Sequence, residues 1–226
     1  MKKTSDNPIP FLLMAALLLA GSAALRAADL PVVHYQAMPT NTDVAIQGTS
    51  TFHDWEMKGT NNIGGFLEFP AGVAFDTNQA TLPGLKDGVL PASGRTTILV
   101  RGIHSEAEHL PSVMDDLMLE AMRQTNFPAI LYKVTELKLK QPRAAGQPFD
   151  FDAKGDLAIG GVTNTVTFPV TIAPLDKTRI KISGTAKLKM TDFKVTPPAP
   201  NIMGLGMMKC GDDVTIVFDW TLALRP

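Results

Sequence analysis

The sequence predicts a mainly β protein, an antiparallel barrel of about eight strands with one α-helix. From about Val44 onward, apolar and polar residues alternate with a period of two, and Gly, Pro and Asn separate the alternating segments. After the N-terminal segment, a single stretch has helical periodicity. Many strands and one helix in 226 residues favour a closed sheet, because closure removes exposed strand edges. A β-sandwich is the alternative fold.

The N-terminal segment has the features of an export signal. Lys2 and Lys3 precede the apolar run FLLMAALLLAG, and small residues follow in SAALRAAD. The run is shorter than the about 20 apolar residues of a bilayer span, which disfavours an uncleaved anchor. We expect residues 1–28 to be a cleaved signal peptide, although the sequence leaves the cleavage site open. Residues 29–226 would then form a single periplasmic or secreted domain with no stable membrane span.

The predicted strands each have one apolar face. In DDVTIVFDWTLAL, every second residue from Val214 to Leu224 is apolar. TRIKISGTAKLKM repeats the pattern, with its lysines on the opposite, solvated face. Pro169 predicts an edge position or a bulge, because proline cannot donate a hydrogen bond to a sheet ladder. The other candidate strands are TDVAIQG, HDWEMKGT, GGFLEF, TTILVRGI, AILYKVTELKL, FDFDAKGDLAI and NTVTFPVTIA.

The stretch PSVMDDLMLEAMRQTNF predicts an amphipathic helix. Pro111 and Ser112 are typical of a helix start, and Pro128 sets the limit at the other end. We expect the apolar face of this helix to close or flank one end of the barrel. Helical spacing gives that face five residues: Met114, Leu117, Met118, Ala121 and Met122.

Charge and cysteine content restrict the possible functions. The formal net charge is -1 and no stripe of Lys and Arg is visible, so the sequence lacks the basic footprint of a nucleic-acid-binding protein. Cys210 is the only cysteine, which excludes an intramolecular disulfide. The stability of the fold must therefore come from its apolar core.

The segment IHSEAEHL is the one candidate metal site. His104 and His109, with Glu106 or Glu108 as a third ligand, could hold a divalent metal for a hydrolase outside the cytoplasm. The spacing is not the HExxH pattern of a helical zinc site, and a solvated corner between a strand and the helix is the favoured interpretation. The sequence also lacks the nucleophile elbow, the P-loop and the dinucleotide-binding glycines. We therefore expect neither an enzyme nor a bound cofactor.

Five segments together resemble the YceI-like family: GTSTFHDWEMKG, NFPAILYKVTEL, GDLAIGGVTNTVTFPVTI, ISGTAKLKMTDFKVTPP and GDDVTIVFDWTLAL. The resemblance implies a lipocalin-like antiparallel barrel that binds polyisoprenoids or other long lipids. Two segments depart from the family pattern. The connection at 70–94 is long and rich in Gly and Pro, as in an ornamented hairpin or a flap, and GIHSEAEHLPSVMDD is rich in His and Glu.

The resemblance also implies a cavity, since an eight-stranded barrel either fills its interior with side chains or holds one ligand. The apolar residues alone favour plain core filling. Glycines that face inward beside large aromatic rings would leave room for a ligand, whereas aromatic rings that meet at the barrel axis would fill the interior. The predicted lining residues are Trp55, Met114, Leu117, Met118, Met122, Phe168, Phe193, Phe218 and Trp220.

Together with the export signal, the resemblance implies an exported binding protein that sequesters or carries a polyisoprenoid or similar lipid. Arg101, Arg123 and Lys194 are candidates to bind an anionic head group such as a diphosphate, because each adjoins the helix or the KMTDFKVTPP corner. The alternatives are the metal-assisted hydrolase and a packed barrel that serves as a protein-interaction domain.

Overall fold

The structure is a computed structural model that describes residues 32–79, 81–108, 110–140, 144–202 and 206–225. The predicted signal peptide lies outside these residues. The strands and the helix are β1 (Val32–Ser50), β2 (Trp55–Thr60), β3 (Ile63–Pro70), β4 (Val89–Leu90), β5 (Ser93–Leu99), β6 (His104–Ser105), α1 (Pro111–Ala121), β7 (Ala129–Leu139), β8 (Phe149–Ile159), β9 (Val162–Pro174), β10 (Arg179–Lys189), β11 (Asn201–Ile202), β12 (Gly206–Met207) and β13 (Cys210–Leu224).

The sheet closes into an antiparallel barrel of eight strands, which confirms the predicted fold. Hydrogen-bonded neighbours follow the order β1, β3, β5, β7, β8, β9, β10 and β13, and β13 pairs again with β1. β2 lies in line with β3 along β1. After β5, the chain makes the 3-10 turn Val100–Gly102, and β6 then pairs with β2. β6 therefore continues the line of β5 in the barrel wall, because β5 pairs with β3 and β2 follows β3 along β1.

The helix α1 is shorter than the predicted stretch. It ends at Ala121 because Arg123 adopts a left-handed backbone conformation with φ of 53°. The N–H of Arg123 then donates to the carbonyl of Glu120, and the N–H of Gln124 donates to that of Leu119. These two bonds satisfy the last carbonyls of the helix in a Schellman motif. No helix in the described part of the chain is long and apolar enough to cross a membrane.

The long connection between β3 and β5 packs into the barrel end opposite α1. Val73, Phe75 and Leu82 are buried in the same apolar cluster as the barrel residues. The ring of Phe75 makes edge contacts with Phe69 and Phe149, at centroid distances of 5.2 and 5.6 Å. The 70–94 segment therefore connects an ornamented hairpin, because β3 and β5 pair directly in antiparallel register, and its buried residues form a plug held by core packing.

The barrel wall is incompletely paired between β9 and β10. Their pairing extends only from Ile180 and Pro174 to Gly184 and Val170. Residues 162–169 of β9 and 185–189 of β10 continue as strands without pairing to each other. Pro169 lies at the point where the ladder ends, which confirms the predicted edge position. We call the gap between these two unpaired segments the β9–β10 fissure.

Candidate functional site: two adjoining apolar cavities

The first cavity lies inside the barrel and has a volume of about 100 Å³. We call it the axial cavity. Its walls come from inward positions of the barrel strands, and the side chains are almost all aliphatic or aromatic. Phe168, Phe218 and Trp220 are among the lining residues, as the alternation in β9 and β13 predicts.

The second cavity lies beneath α1 and has a volume of about 110 Å³. We call it the helix cavity. Trp55 on β2 and Phe193 on the 3-10 turn Thr191–Phe193 form part of its wall. The helix contributes the face that periodicity predicts: Met114, Leu117, Met118, Ala121 and Met122.

Two close approaches between glycines and rings keep space open near the barrel axis. A Cβ atom on Gly184 would lie 2.5 Å from Cζ of Phe218 on the neighbouring strand, and one on Gly155 would lie 2.6 Å from Cζ of Tyr132. Each aromatic ring therefore lies against the barrel wall, in the place that a side chain at the neighbouring glycine position would occupy. With the rings held there, part of the axis stays unfilled.

The two cavities adjoin each other. Ile46, Ile130 and Ile216 line both, so one layer of isoleucine side chains separates the axial cavity from the helix cavity. An apolar chain that displaced this layer would extend from the interior of the barrel to the underside of α1.

The sequence pattern of the YceI-like domain matches residues 35–222, most of the chain. The chain belongs to the YceI-like family. No curated protein matches its sequence.

Two solved structures are similar in fold to this YceI-like protein. BcnA of Burkholderia cenocepacia is 18% identical, with a TM-score of 0.54 over 80% of this chain and 95% of that chain. A polyisoprenoid binding domain from Saccharophagus degradans, implicated in plant cell wall breakdown, is 12% identical, with a TM-score of 0.58 over 84% and 98% of the two chains. At these identities the likeness shows a common fold.

Three buried side-chain polar atoms in this YceI-like barrel have no hydrogen-bond partner among the described residues: Oγ1 of Thr42, Oη of Tyr132 and Nε1 of Trp220. Of these residues, Tyr132 and Trp220 line the axial cavity. Burial raises the pKa of Tyr132 above its usual value, which keeps the hydroxyl protonated and able to donate. A buried donor without an acceptor costs about 1–3 kcal/mol, so an acceptor on a bound molecule would be stabilised here.

The candidate head-group residues lie on separate turns at the surface of the YceI-like barrel. Arg101 belongs to the 3-10 turn after β5, and Lys194 follows the 3-10 turn that carries Phe193. The guanidinium of Arg123 lies over the ring of Phe127, 5.5 Å from its centroid. All three cations are exposed, and none of them lines the axial or the helix cavity.

The candidate metal site is a strand-to-helix corner in which His104 contacts the helix. Its Nδ1 atom lies 2.9 Å from Oδ2 of Asp115, and the other carboxylate oxygen accepts a 2.6 Å hydrogen bond from the N–H of Ser105. Glu106 pairs with Lys58 at 3.4 Å. His109 lies outside the described residues, and within them no three His, Cys, Asp or Glu side chains are grouped to hold a metal. Asp115 thus fastens α1 to β6.

Sequence reasoning missed several lining residues of both cavities. Tyr132, Val134 and Leu137 line the axial cavity, whereas Met208 and Cys210 line the helix cavity. The alternation of Ile130, Tyr132 and Val134 along β7 was a usable signal for the axial cavity. The segment before β13 carries no such periodicity, and its contact with the helix cavity depends on how it crosses the end of the barrel.

Proposed function

We propose that this YceI-like protein is an exported carrier that encloses the apolar tail of a polyisoprenoid or similar lipid. The observation that carries the proposal is the pair of adjoining apolar cavities along the barrel interior. The polyisoprenoid binding domain of similar fold adds support for this class of ligand.

The volumes limit how a tail can be accommodated. Each cavity is smaller than the about 150 Å³ apolar cavity that admits a benzene molecule. A prenyl tail must therefore occupy both cavities and displace the layer of Ile46, Ile130 and Ile216. Met114, Met118 and Met122 suit this adjustment, because unbranched methionine side chains repack at low cost.

The expected affinity follows from the apolar area that a tail buries. Each buried methylene contributes about 0.8 kcal/mol, so two isoprene units of five carbons contribute about 8 kcal/mol before ordering costs. Without those costs this free energy would correspond to a dissociation constant of about 1 μM, and the costs of association and ordering weaken the affinity from that limit. Longer tails gain affinity only while the barrel interior can enclose them.

Extraction of the native protein tests the proposal directly. Protein purified from its own compartment should release a long-chain lipid into organic solvent, in a constant molar ratio by mass spectrometry. Recovery of protein that contains no lipid and does not bind added geranylgeraniol would contradict the proposal.

The two tryptophans of the chain allow each cavity to be followed separately. Trp55 lines the helix cavity and Trp220 lines the axial cavity. Titration of Trp55→Phe and Trp220→Phe with geranylgeraniol should change the remaining indole fluorescence in both variants. A response from only one variant would restrict the ligand to one cavity.

Export is the second part of the proposal, and it rests on the signal-like N-terminal residues. Cell fractionation should place the protein outside the cytoplasm, and N-terminal sequencing should find that the segment 1–28 has been removed at or near its end. Full-length protein retained in the cytoplasm would contradict export and leave the ligand proposal intact.

A further inference from the structure

We infer that the lipid tail enters the barrel sideways, through the β9–β10 fissure, and not past the helix. This inference rests on the proposed function, because it concerns the route to the same two cavities. The fissure opens into a surface groove of about 890 Å³ whose two sides are the unpaired segments 162–169 and 185–189.

The floor of the groove is a single layer of apolar side chains. Phe168 lines both the groove and the axial cavity, whereas Phe193 lines both the groove and the helix cavity. Val166 and Leu188 are only partly buried, and they pack against the apolar clusters on both sides. Rotation of these side chains would connect the groove with both cavities.

Chain covers both ends of the barrel, whereas the fissure is a gap in the pairing of the wall. The 70–94 segment fills one end with buried residues, among them Phe75 and Leu82. At the other end, Asp115 holds α1 to β6 through its bonds to His104 and the N–H of Ser105. A tail that passes the plugged end must displace buried residues, and one that passes α1 must break the contact between Asp115 and β6, whereas the fissure has no ladder hydrogen bonds between its two sides to break.

The rim of the fissure suits a polar head group that stays outside. Thr165, Thr167 and Lys187 are exposed on its two sides, and Lys189 pairs with Asp213 at 3.2 Å. The apolar floor beneath this polar rim matches an amphipathic lipid, whose tail crosses the floor while its head remains in water. One end of the fissure is bridged by a 2.7 Å hydrogen bond from Nδ2 of Asn164 to the carbonyl of Asp192.

The test blocks one route at a time with a bulky maleimide. Single cysteines are introduced in a Cys210→Ala background, which keeps this lining position of the helix cavity apolar, at three exposed positions: Thr167→Cys at the fissure, Val113→Cys on α1 and Thr135→Cys on the outer wall at β7. Thr135 is the matched control for Thr167, because both are exposed threonines and Thr135 lies away from the groove. Stopped-flow tryptophan fluorescence with geranylgeraniol then gives association and dissociation rates.

A label at Thr167 should slow both association and dissociation, association by about tenfold, because a blocked route raises the barrier in both directions. Labels at Val113 and Thr135 should leave both rates unaltered. Slowing by the Val113 label but not by the Thr167 label would overturn the inference, as would unchanged rates with the Thr167 label. Failure of the unsubstituted protein, with Cys210 in place, to bind geranylgeraniol would instead refute the proposed function.

A second variant checks the floor without a label. Leu188→Ala removes a partly exposed floor residue, and should raise both rate constants severalfold relative to Ala158→Gly, a truncation on the outer face of β8. Rates that match this control would contradict a route across the floor.

Discussion

Ala153→Leu should fill the axial cavity and weaken lipid binding while the barrel stays folded. Ala153 lies on the inner face of β8, is 3% exposed and lines the axial cavity. The substitution adds three carbon atoms, which extend into space that the wall-bound rings of Tyr132 and Phe218 leave open. The added side chain then competes with the tail for the same volume.

The magnitude follows from the cavity volume. Removal of a cavity of about 100 Å³, at about 24 cal/mol per Å³, would stabilise the fold by about 2 kcal/mol if the fit were ideal. Strain from a tight fit costs about 1–3 kcal/mol, so we expect the free energy of unfolding to change by no more than about 1 kcal/mol. Loss of space for three methylenes, at about 0.8 kcal/mol each, weakens binding by about fiftyfold.

The assay combines urea denaturation with fluorescence titration by geranylgeraniol. Ala158→Leu is the matched control, since Ala158 lies on the outer face of the same strand and lines neither cavity. The control should bind as the unaltered protein does. If folded Ala153→Leu also binds with unchanged affinity, the tail does not use the axial cavity and the reasoning from volume is refuted.

Three further perturbations address the ring position, the helix attachment and the β9–β10 turn. Gly184→Ala should push the Phe218 ring toward the axis, and so lower lipid affinity severalfold; unchanged affinity in a titration would show that the ring moves elsewhere. Asp115→Ala removes the acceptor for the N–H of Ser105 and should destabilise the α1 attachment by about 1–2 kcal/mol, seen as faster amide exchange in α1 but not in β13. Hydrogen bonds to its carboxylate, chiefly from the backbone N–H of Thr178, lower the pKa of Asp176 to about 2. Because this folded-state pKa lies below the unfolded value near 3.9, the stabilisation is full above about pH 4 and is lost as the pH falls through about 2. NMR titration of the Asp176 carboxyl checks the value, and a midpoint near 3.9 would contradict it.

The inner and outer faces of the strands could be predicted from the sequence because strand geometry is local. Alternation along β13 places Phe218 and Trp220 on the inner face of the sheet, independently of which strand lies beside β13. In the same way, 3.6-residue periodicity assigned Met114 and Met118 to the inner side of α1, although the Schellman motif that ends the helix at Ala121 was not predicted.

Other features arise only from contacts between distant parts of the chain. Space at the axis depends on the register that brings Phe218 beside Gly184, which residue types alone do not specify. The plug at 70–94 depends on the aromatic contacts of Phe75, whereas its Gly and Pro content indicated an irregular connection.

The sequence by itself determined a β-rich chain with inward apolar faces, one methionine-faced helix and a proline at a strand edge. Only the tertiary structure decided that this edge opens a fissure in the wall and that two cavities adjoin behind it. The physical reason is that side-chain direction follows from the period of a single strand. Empty space and gaps in pairing depend instead on how several strands meet.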